Sequence, residues 1–278
     1  MLEVKNIKKS TPEGKKILKG ISFTVEKGEF VGILGASGAG KTLTMRCISG
    51  LTTPTSGEVN LIDRKGKKIN ITNCKGKKLR TVRQKIGNIF QGHNLVKRLN
   101  VLENVMIGRL GSINVMRSLL YGFTDEEAKE AIQTLERVNI AHLAHRITGS
   151  LSGGEMQRVA IARALFQKPI IMLADEPIAS LDPQNAKKIM KLLKSLAEEM
   201  PILGIFHQPQ ITAKYCTRII AIKEGEVVYN ETDKNGHKRL FKQLPEIYGA
   251  ELEEIEQAKM TSDNPTDQFE GRPEILTF

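Results

Sequence analysis

Gly35-Ala36-Ser37-Gly38-Ala39-Gly40-Lys41-Thr42 lies between an apolar run, Phe30 to Leu34, and a helix-compatible stretch, Leu43 to Ile48. Its spacing is that of a phosphate-binding loop. Glycines stand where backbone must approach phosphate oxygens, a lysine reaches the β- and γ-phosphates, and a hydroxyl is placed for Mg²⁺. The main-chain N–H groups of Gly38 to Thr42 are expected to form a positively polarised nest, to which the following helix adds its N-terminal dipole. A glycine-rich turn can match so short a pattern by chance. The strand before it and the helix after it supply the context the motif requires.

Upstream, Leu2-Glu3-Val4, Ile17 to Val25 and Phe30 to Leu34 read as strands, separated by turns at Pro12-Glu13-Gly14 and Lys27-Gly28. Downstream, a helix is expected over Thr44 to Leu51 and a strand over Gly57 to Ile62. A loop and a short helix follow in the lysine-rich stretch up to Arg83, and a strand over Ile86 to Phe90 delivers Gln91 at its end. Between Gly92 and Gly149 the texture turns helical, with Thr124-Asp125-Glu126-Glu127 as a capping box opening an amphipathic helix toward Val138. This stretch reads as a separate helical lobe.

Ser152-Gly153-Gly154-Glu155 is a second capping box, and Val159, Ile161, Ala162 and Leu165 give the helix it starts an apolar face. Pro169 stops that helix before Ile170 to Ala174, an unbroken apolar run suited to a strand buried on both faces of a parallel sheet. Asp175 and Glu176 then fall at the strand's C-terminal end, where ligands collect in open α/β sheets. Asp175 fits a carboxylate that orients Mg²⁺, and Glu176 a base that polarises an attacking water. A capped or salt-bridged acid pair is the structural alternative; two motifs in the right order favour the chemical one.

Asp182-Pro183 opens a helix expected to run through Met200, with Asp182 as its N-cap unless it serves the site. Ile202 to Phe206 reads as one more strand, ending in His207 where it would face a γ-phosphate. Ile219 to Ile222 and Glu226 to Tyr229, around Gly225, read as a hairpin.

At 278 residues with 40% apolar content, the chain can bury a core without staples, as one large domain or two modest ones. Three scattered cysteines, Cys47, Cys74 and Cys216, point to reduced thiols in a cytosolic compartment and away from a zinc site. No basic-then-apolar leader precedes Leu2, and no stretch approaches the ~18 apolar residues of a membrane span, so a soluble chain is expected.

The formal charge of +11 is concentrated in one stretch, with Arg64, Lys65, Lys67, Lys68, Lys75, Lys77, Lys78, Arg80, Arg83 and Lys85, while Glu251, Glu253, Glu254 and Glu256 make the far end acidic. No aromatics interleave with the basic stretch and tryptophan is absent, so stacking on unpaired bases has little support and no nucleic-acid partner is expected. A solvated basic face is favoured, with an anionic membrane leaflet as second reading.

Taken together, the phosphate loop, Gln91, Leu151-Ser152-Gly153-Gly154-Glu155, Asp175-Glu176, Ser180-Leu181-Asp182 and His207 resemble the ATP-binding cassette ATPases over residues 2 to about 230. The resemblance implies an α/β phosphate-loop nucleotidase core with a mixed sheet, an N-terminal antiparallel β subdomain and a helical signature subdomain. By it, residues 1–91 and 151–230 form the core, 92–150 the helical subdomain, and 231–278 an extension that is partly helical and then a flexible tail.

It further implies ATP and Mg²⁺ as cofactors, and hydrolysis by a head-to-tail pair of chains. Lys41 and the loop would hold the phosphates, with Leu43 contributing only its backbone N–H. Ser152, Gly153 and Gly154 of the second copy would donate to the γ-phosphate. Thr42, Gln91 and Asp175 would hold the metal, and Gln91 would also sense membrane permease subunits. Glu176 would polarise water, His207 would clamp the γ-phosphate, and Asp182 would connect the two sites. The expected location is the cytoplasmic face of the cell membrane, with a solute-binding protein as indirect partner.

A narrower resemblance, to the ATPase subunits of phosphonate importers, rests on Asn94 to Leu99, Val101 to Val105, Gly108 to Gly111, Ser118-Leu119-Leu120 and Leu173 to Pro183. It implies phosphonate or a related phosphorus oxyanion as cargo. Another cargo system, or a soluble cassette acting on nucleic acid or ribosomes, is the alternative.

Three features depart from the pattern. Thr11 stands where the family has an aromatic that stacks on adenine, and Leu43 replaces a second hydroxyl after the lysine. Gln208-Pro209-Gln210 also differs from the importer run, and Thr261 to Phe278 reads as a polar tail without an assigned role.

Overall fold

A computed structural model of the 278-residue protein describes residues 1–63, 65–111, 123–232, 238–249 and 251–252. Arg64, Ser118-Leu119-Leu120, Glu253, Glu254, Glu256 and the tail to Phe278, all singled out above, lie outside them. Two sheets organise the chain. The strands β1 (Leu2–Ser10), β2 (Lys16–Val25), β4 (Ser56–Ile62) and β5 (Lys68–Asn70) form an antiparallel sheet in the order β2-β1-β4-β5. A second, six-stranded sheet has the order β10-β9-β3-β8-β7-β6, from β3 (Phe30–Leu34), β6 (Ile86–Ile89), β7 (Ile171–Asp175), β8 (Ile202–Ile205), β9 (Arg218–Lys223) and β10 (Glu226–Thr232). Its strands are parallel except for the β9–β10 hairpin.

Alternation along the central strands explains their unbroken apolar runs. Phe30 and Leu34 of β3, Met172 and Ala174 of β7, and Ile202 of β8 face one core, which they share with the helices α3 (Val101–Met106), α4 (Asp125–Arg137), α5 (Gly153–Phe166) and α6 (Pro183–Ala197). Val31, Ile33, Ile171, Leu173, Leu203 and Ile205 face the other, filled by α1 (Lys41–Ile48) and the apolar side of the antiparallel sheet. Because both faces are buried, no polar residue interrupts these strands. The phosphate loop leaves the C-terminal end of β3 at the centre of the sheet, between neighbours β8 and β9.

The two capping boxes form as expected: Thr124 and Ser152 each accept a backbone N–H from the glutamate three residues on, and each glutamate carboxylate accepts the cap's own N–H. Several boundaries differ from the reading of the sequence. β1 runs six residues beyond Val4, through a register irregularity at Asn6, whose φ is 47°. Its second half carries Lys5 and Lys8 exposed and Lys9 half-buried, and buries only Ile7. β5 hides in the lysine-rich stretch before α2 (Gly76–Arg83). Helix α6 ends at Ala197, short of Met200, and α7 (Pro209–Tyr215) stands where no helix was expected.

Buried Asn104 of α3 ties down the segment after Gln91. It accepts the Val96 N–H at 2.9 Å and donates to the Val96 carbonyl at 3.0 Å and the Thr148 hydroxyl at 2.8 Å. Truncating it removes the partner of the buried Thr148 hydroxyl and of the partly buried Val96 N–H and carbonyl, and an unsatisfied buried group costs about 1–3 kcal/mol. Asn104→Ala is therefore expected to lower unfolding stability by about 2–4 kcal/mol, read from the urea midpoint. An unchanged midpoint would contradict that role.

Candidate functional site

The loop is shaped by its first glycine. Gly35 has φ +145°, and a Cβ there would sit 2.1 Å from the Ile222 carbonyl oxygen of β9, so no larger residue fits between the strand and the turn. The Gly225 N–H donates to the Ala39 carbonyl at 3.0 Å, clasping the loop from the β9–β10 turn. Helix α1 begins at Lys41, three residues earlier than its sequence suggests, so the helix N-terminus is directed at the loop itself.

Lys41 is 6% exposed, and its Nζ donates to the carbonyls of Gly35 at 2.6 Å and Ala36 at 2.9 Å. Burial pushes its ammonium pKa down, while the carboxylates of Glu176, Glu251 and Asp175 oppose that shift. Leu43 packs its side chain against the core beneath the antiparallel sheet, so only its main chain is available to a ligand.

The three expected metal-holding residues come together. Thr42, Gln91 and Asp175 line one pocket of about 230 Å³. A hydroxyl, an amide oxygen and a carboxylate are hard donors of the kind Mg²⁺ takes. Asp175 is half-buried, and burial, then the charge of Glu176, push its pKa up. A divalent cation would relieve both penalties, so these residues fit the ion.

Glu176 follows β7 in the left-handed region, at φ 49°, an uncommon conformation for a glutamate and one worth about 1–3 kcal/mol of strain. Two contacts hold it there. Gln91 Nε2, at the end of β6, donates to Oε2 at 2.8 Å, and His207 Nε2, after β8, lies 2.7 Å from Oε1. A carboxylate accepts, so Nε2 is the protonated nitrogen of that pair. Gln91 and His207, expected above at the metal and the γ-phosphate, are turned here onto the Glu176 carboxylate.

Asp182 caps α6, accepting the N–H groups of Gln184 and Asn185 and the Asn185 side-chain amide at 2.7 Å. Those bonds, the Asn185 N–H first, hold its carboxyl below the usual range. The capping reading is thus realised in the chain as it stands. Ser152, Gly153 and Gly154 open α5 beside this turn: a Cβ on Gly154 would meet the Asn185 side chain at 2.9 Å, and one on Gly153 would meet Leu181 at 3.4 Å. Among the described residues no hydrogen bond joins Ser152–Glu155 to the phosphate loop. Thr11 lies in the turn between β1 and β2, where its N–H donates to the Lys15 carbonyl.

Two residues were not anticipated. Asn185 touches both Asp182 and Gly154, and nothing but its place three residues after a cap marks it. Arg163 of α5 donates to the carbonyls of His93 at 2.8 Å and Asn94 at 2.7 Å, holding a run in which Gly92, His93 and Asn94 all have positive φ. An arginine within the apolar helix of the second capping box was the available signal.

Comparison with known proteins places the fold in a family. The sequence pattern of the ABC transporter family matches residues 18–179. A phosphonates import ATP-binding protein of Shouchella clausii is 44% identical over 270 residues, covering 96% of this chain and 98% of the relative. Its counterpart in Treponema denticola is 45% identical over 248 residues, covering 87% and 95%. A nucleotide-free ATP-binding cassette from an ABC transporter superposes with a TM-score of 0.77 at 29% identity, over 89% of this chain and 96% of that one. A dimeric cassette in a post-hydrolysis state, bound to ADP and Pi, does so with 0.70 at 34% identity, over 84% and 100%. The chain therefore belongs to the ABC transporter family, of which it is a nucleotide-binding ATPase cassette.

Proposed function

We propose that this cassette powers an importer for phosphonate or a related phosphorus oxyanion, docked on membrane permease subunits at the cytoplasmic face and fed indirectly by a solute-binding protein. The convergence of Thr42, Gln91, Asp175, Glu176 and His207 beside the phosphate loop carries the ATPase part of this reading. The names of the relatives support the cargo. Among the described residues no helix is long and apolar enough to cross a membrane, which fits a subunit that docks on others.

ATP enters with its phosphates on Gly35 to Leu43, and Lys41 leaves the loop carbonyls for the β- and γ-phosphates. Thr42, Gln91 and Asp175 would hold Mg²⁺, which when bound would neutralise phosphate charge. Glu176 accepts the proton of the attacking water as its oxygen bonds the γ-phosphorus and the bond to the β,γ-bridging oxygen breaks to release ADP, while His207 turns from Glu176 to the γ-phosphate and Gln91 would turn to the metal. Ser152, Gly153 and Gly154 have no phosphate to meet in their own chain, so they complete the site of a second copy, as the dimeric state of a related cassette supports. Asp182, through Asn185, sits where it can pass the state of one site to the other. Residues 92–150 form the lobe that docks on the permease, with exposed apolar Val96 and Ile147 on its surface. Residues 1–91 and 151–230 form the ATPase core, and 231–278 an extension.

With half of each site supplied by a second chain, the free monomer is expected to bind ATP more weakly than sub-micromolar. Equilibrium titration of monomeric protein checks this, and a sub-micromolar Kd contradicts it. The cargo is tested by identifying the membrane and solute-binding subunits that co-purify from detergent extracts, then screening the binding subunit. Preference for alkylphosphonate, phosphite or phosphate is expected. Preference for an amino acid, or retention of the cassette on nucleic acid instead of membranes, would overturn the proposal.

A further inference from the structure

The phosphate loop is touched by an acid from the far end of its own chain. Helix α8 (Lys238–Tyr248) is anchored by Leu240, Leu244, Ile247 and Tyr248, all buried in the core that also holds Phe30 and Leu34 of β3. Leu252, just beyond, packs against the same core. The helix end and the short turn after it are thereby held beside the loop, and two polar groups reach it. The Tyr248 hydroxyl accepts the Gly35 N–H at 3.3 Å. Both carboxylate oxygens of Glu251 accept the Ser37 N–H, at 2.9 and 3.1 Å.

These contacts differ in kind. Tyr248 is buried, and burial pushes its phenol pKa well up, so its oxygen is a neutral acceptor that supports the turn out of β3. Glu251 is half-exposed and brings a carboxylate to a loop whose amides are arranged to receive an anion. It also faces Lys41, the group that is to meet the phosphates. A carboxylate on the Ser37 amide and a triphosphate on the amides that follow are like charges at close quarters, in a partly desolvated cleft. They oppose one another.

We infer that Glu251 is an internal competitor of the nucleotide: its carboxylate occupies the edge of the phosphate loop in the resting chain and leaves when a triphosphate enters. This rests on the nucleotide reading of the loop given above. The competitor is tethered, so it acts at every protein concentration. It is also a single half-exposed contact, so its effect is modest.

The test uses the full chain and the non-hydrolysable analogue AMP-PNP with Mg²⁺, titrated by calorimetry. Glu251→Gln keeps the shape of the side chain and removes its charge, whereas Glu251→Ala removes the acceptor as well. Both are expected to tighten binding about 3–10-fold, alanine at least as much as glutamine, while Glu246→Gln on the exposed side of α8 leaves it unchanged. Two variants guard against a folding defect in one. If both bind as the wild type does, or more weakly, Glu251 is a structural tie and the inference fails, with the nucleotide reading intact. If the wild type binds no more tightly than Lys41→Ala, the nucleotide reading fails and this inference with it.

Discussion

Glu176→Gln is expected to lower ATP turnover about 10²–10⁴-fold, the contribution of a positioned general base, while leaving ATP binding within a few-fold of wild type. The expectation follows from what the substitution keeps. Glutamine has the length of glutamate, and its amide can accept from Gln91 Nε2 and donate to His207 Nε2 once that ring takes its other tautomer, so residue 176 can stay at φ 49°. It loses the capacity to take a proton from water. Because binding and chemistry then separate, the variant should accumulate as an ATP-bound dimer, visible by size-exclusion chromatography with ATP and Mg²⁺. Turnover at the wild-type rate would remove Glu176 from the role of base. Loss of binding along with turnover would make it a residue of architecture.

Lys41→Ala is expected to weaken ATP binding about 100-fold, as loss of charge-assisted bonds to phosphate implies. The loop itself should survive. Lys41 is buried with its ammonium pKa pushed down, so the resting protein holds it at some cost, and removal relieves that cost as it orphans the Gly35 and Ala36 carbonyls. Thermal melts without nucleotide should therefore change little, whereas the rise in Tm that ATP gives the wild type should vanish. Equal stabilisation of both proteins by ATP would place the phosphates elsewhere.

The central strands were legible in the sequence because burial on both faces demands unbroken apolar runs, and β3, β7 and β8 have them. The capping boxes were legible because their chemistry is confined to four residues. What escaped was decided by distant partners. The second half of β1 is a strand because β2 and β4 pair with it, whatever its lysines prefer, and β5 exists because β4 offers an edge. At the site, the positions of Gln91, Glu176 and His207 at three strand ends could be read, since strand ends in a parallel sheet share one rim. Their mutual hydrogen bonds could not, because those follow from strand order 8-7-6 and not from local spacing. Asp182 had two readings, and the resting chain shows the cap. The contact between Ser37 and Glu251 spans 214 residues and left no trace in either segment.

The most direct measurement is a structure of Glu176→Gln grown with ATP and Mg²⁺. Each triphosphate is predicted to lie between Gly35–Thr42 of one copy and Ser152–Gly154 of the other, with Thr42, Gln91 and Asp175 at the metal. A nucleotide held by the loop alone, with the Ser152–Gly154 turn remote from every phosphate in each assembly the protein forms, would contradict the account at its centre.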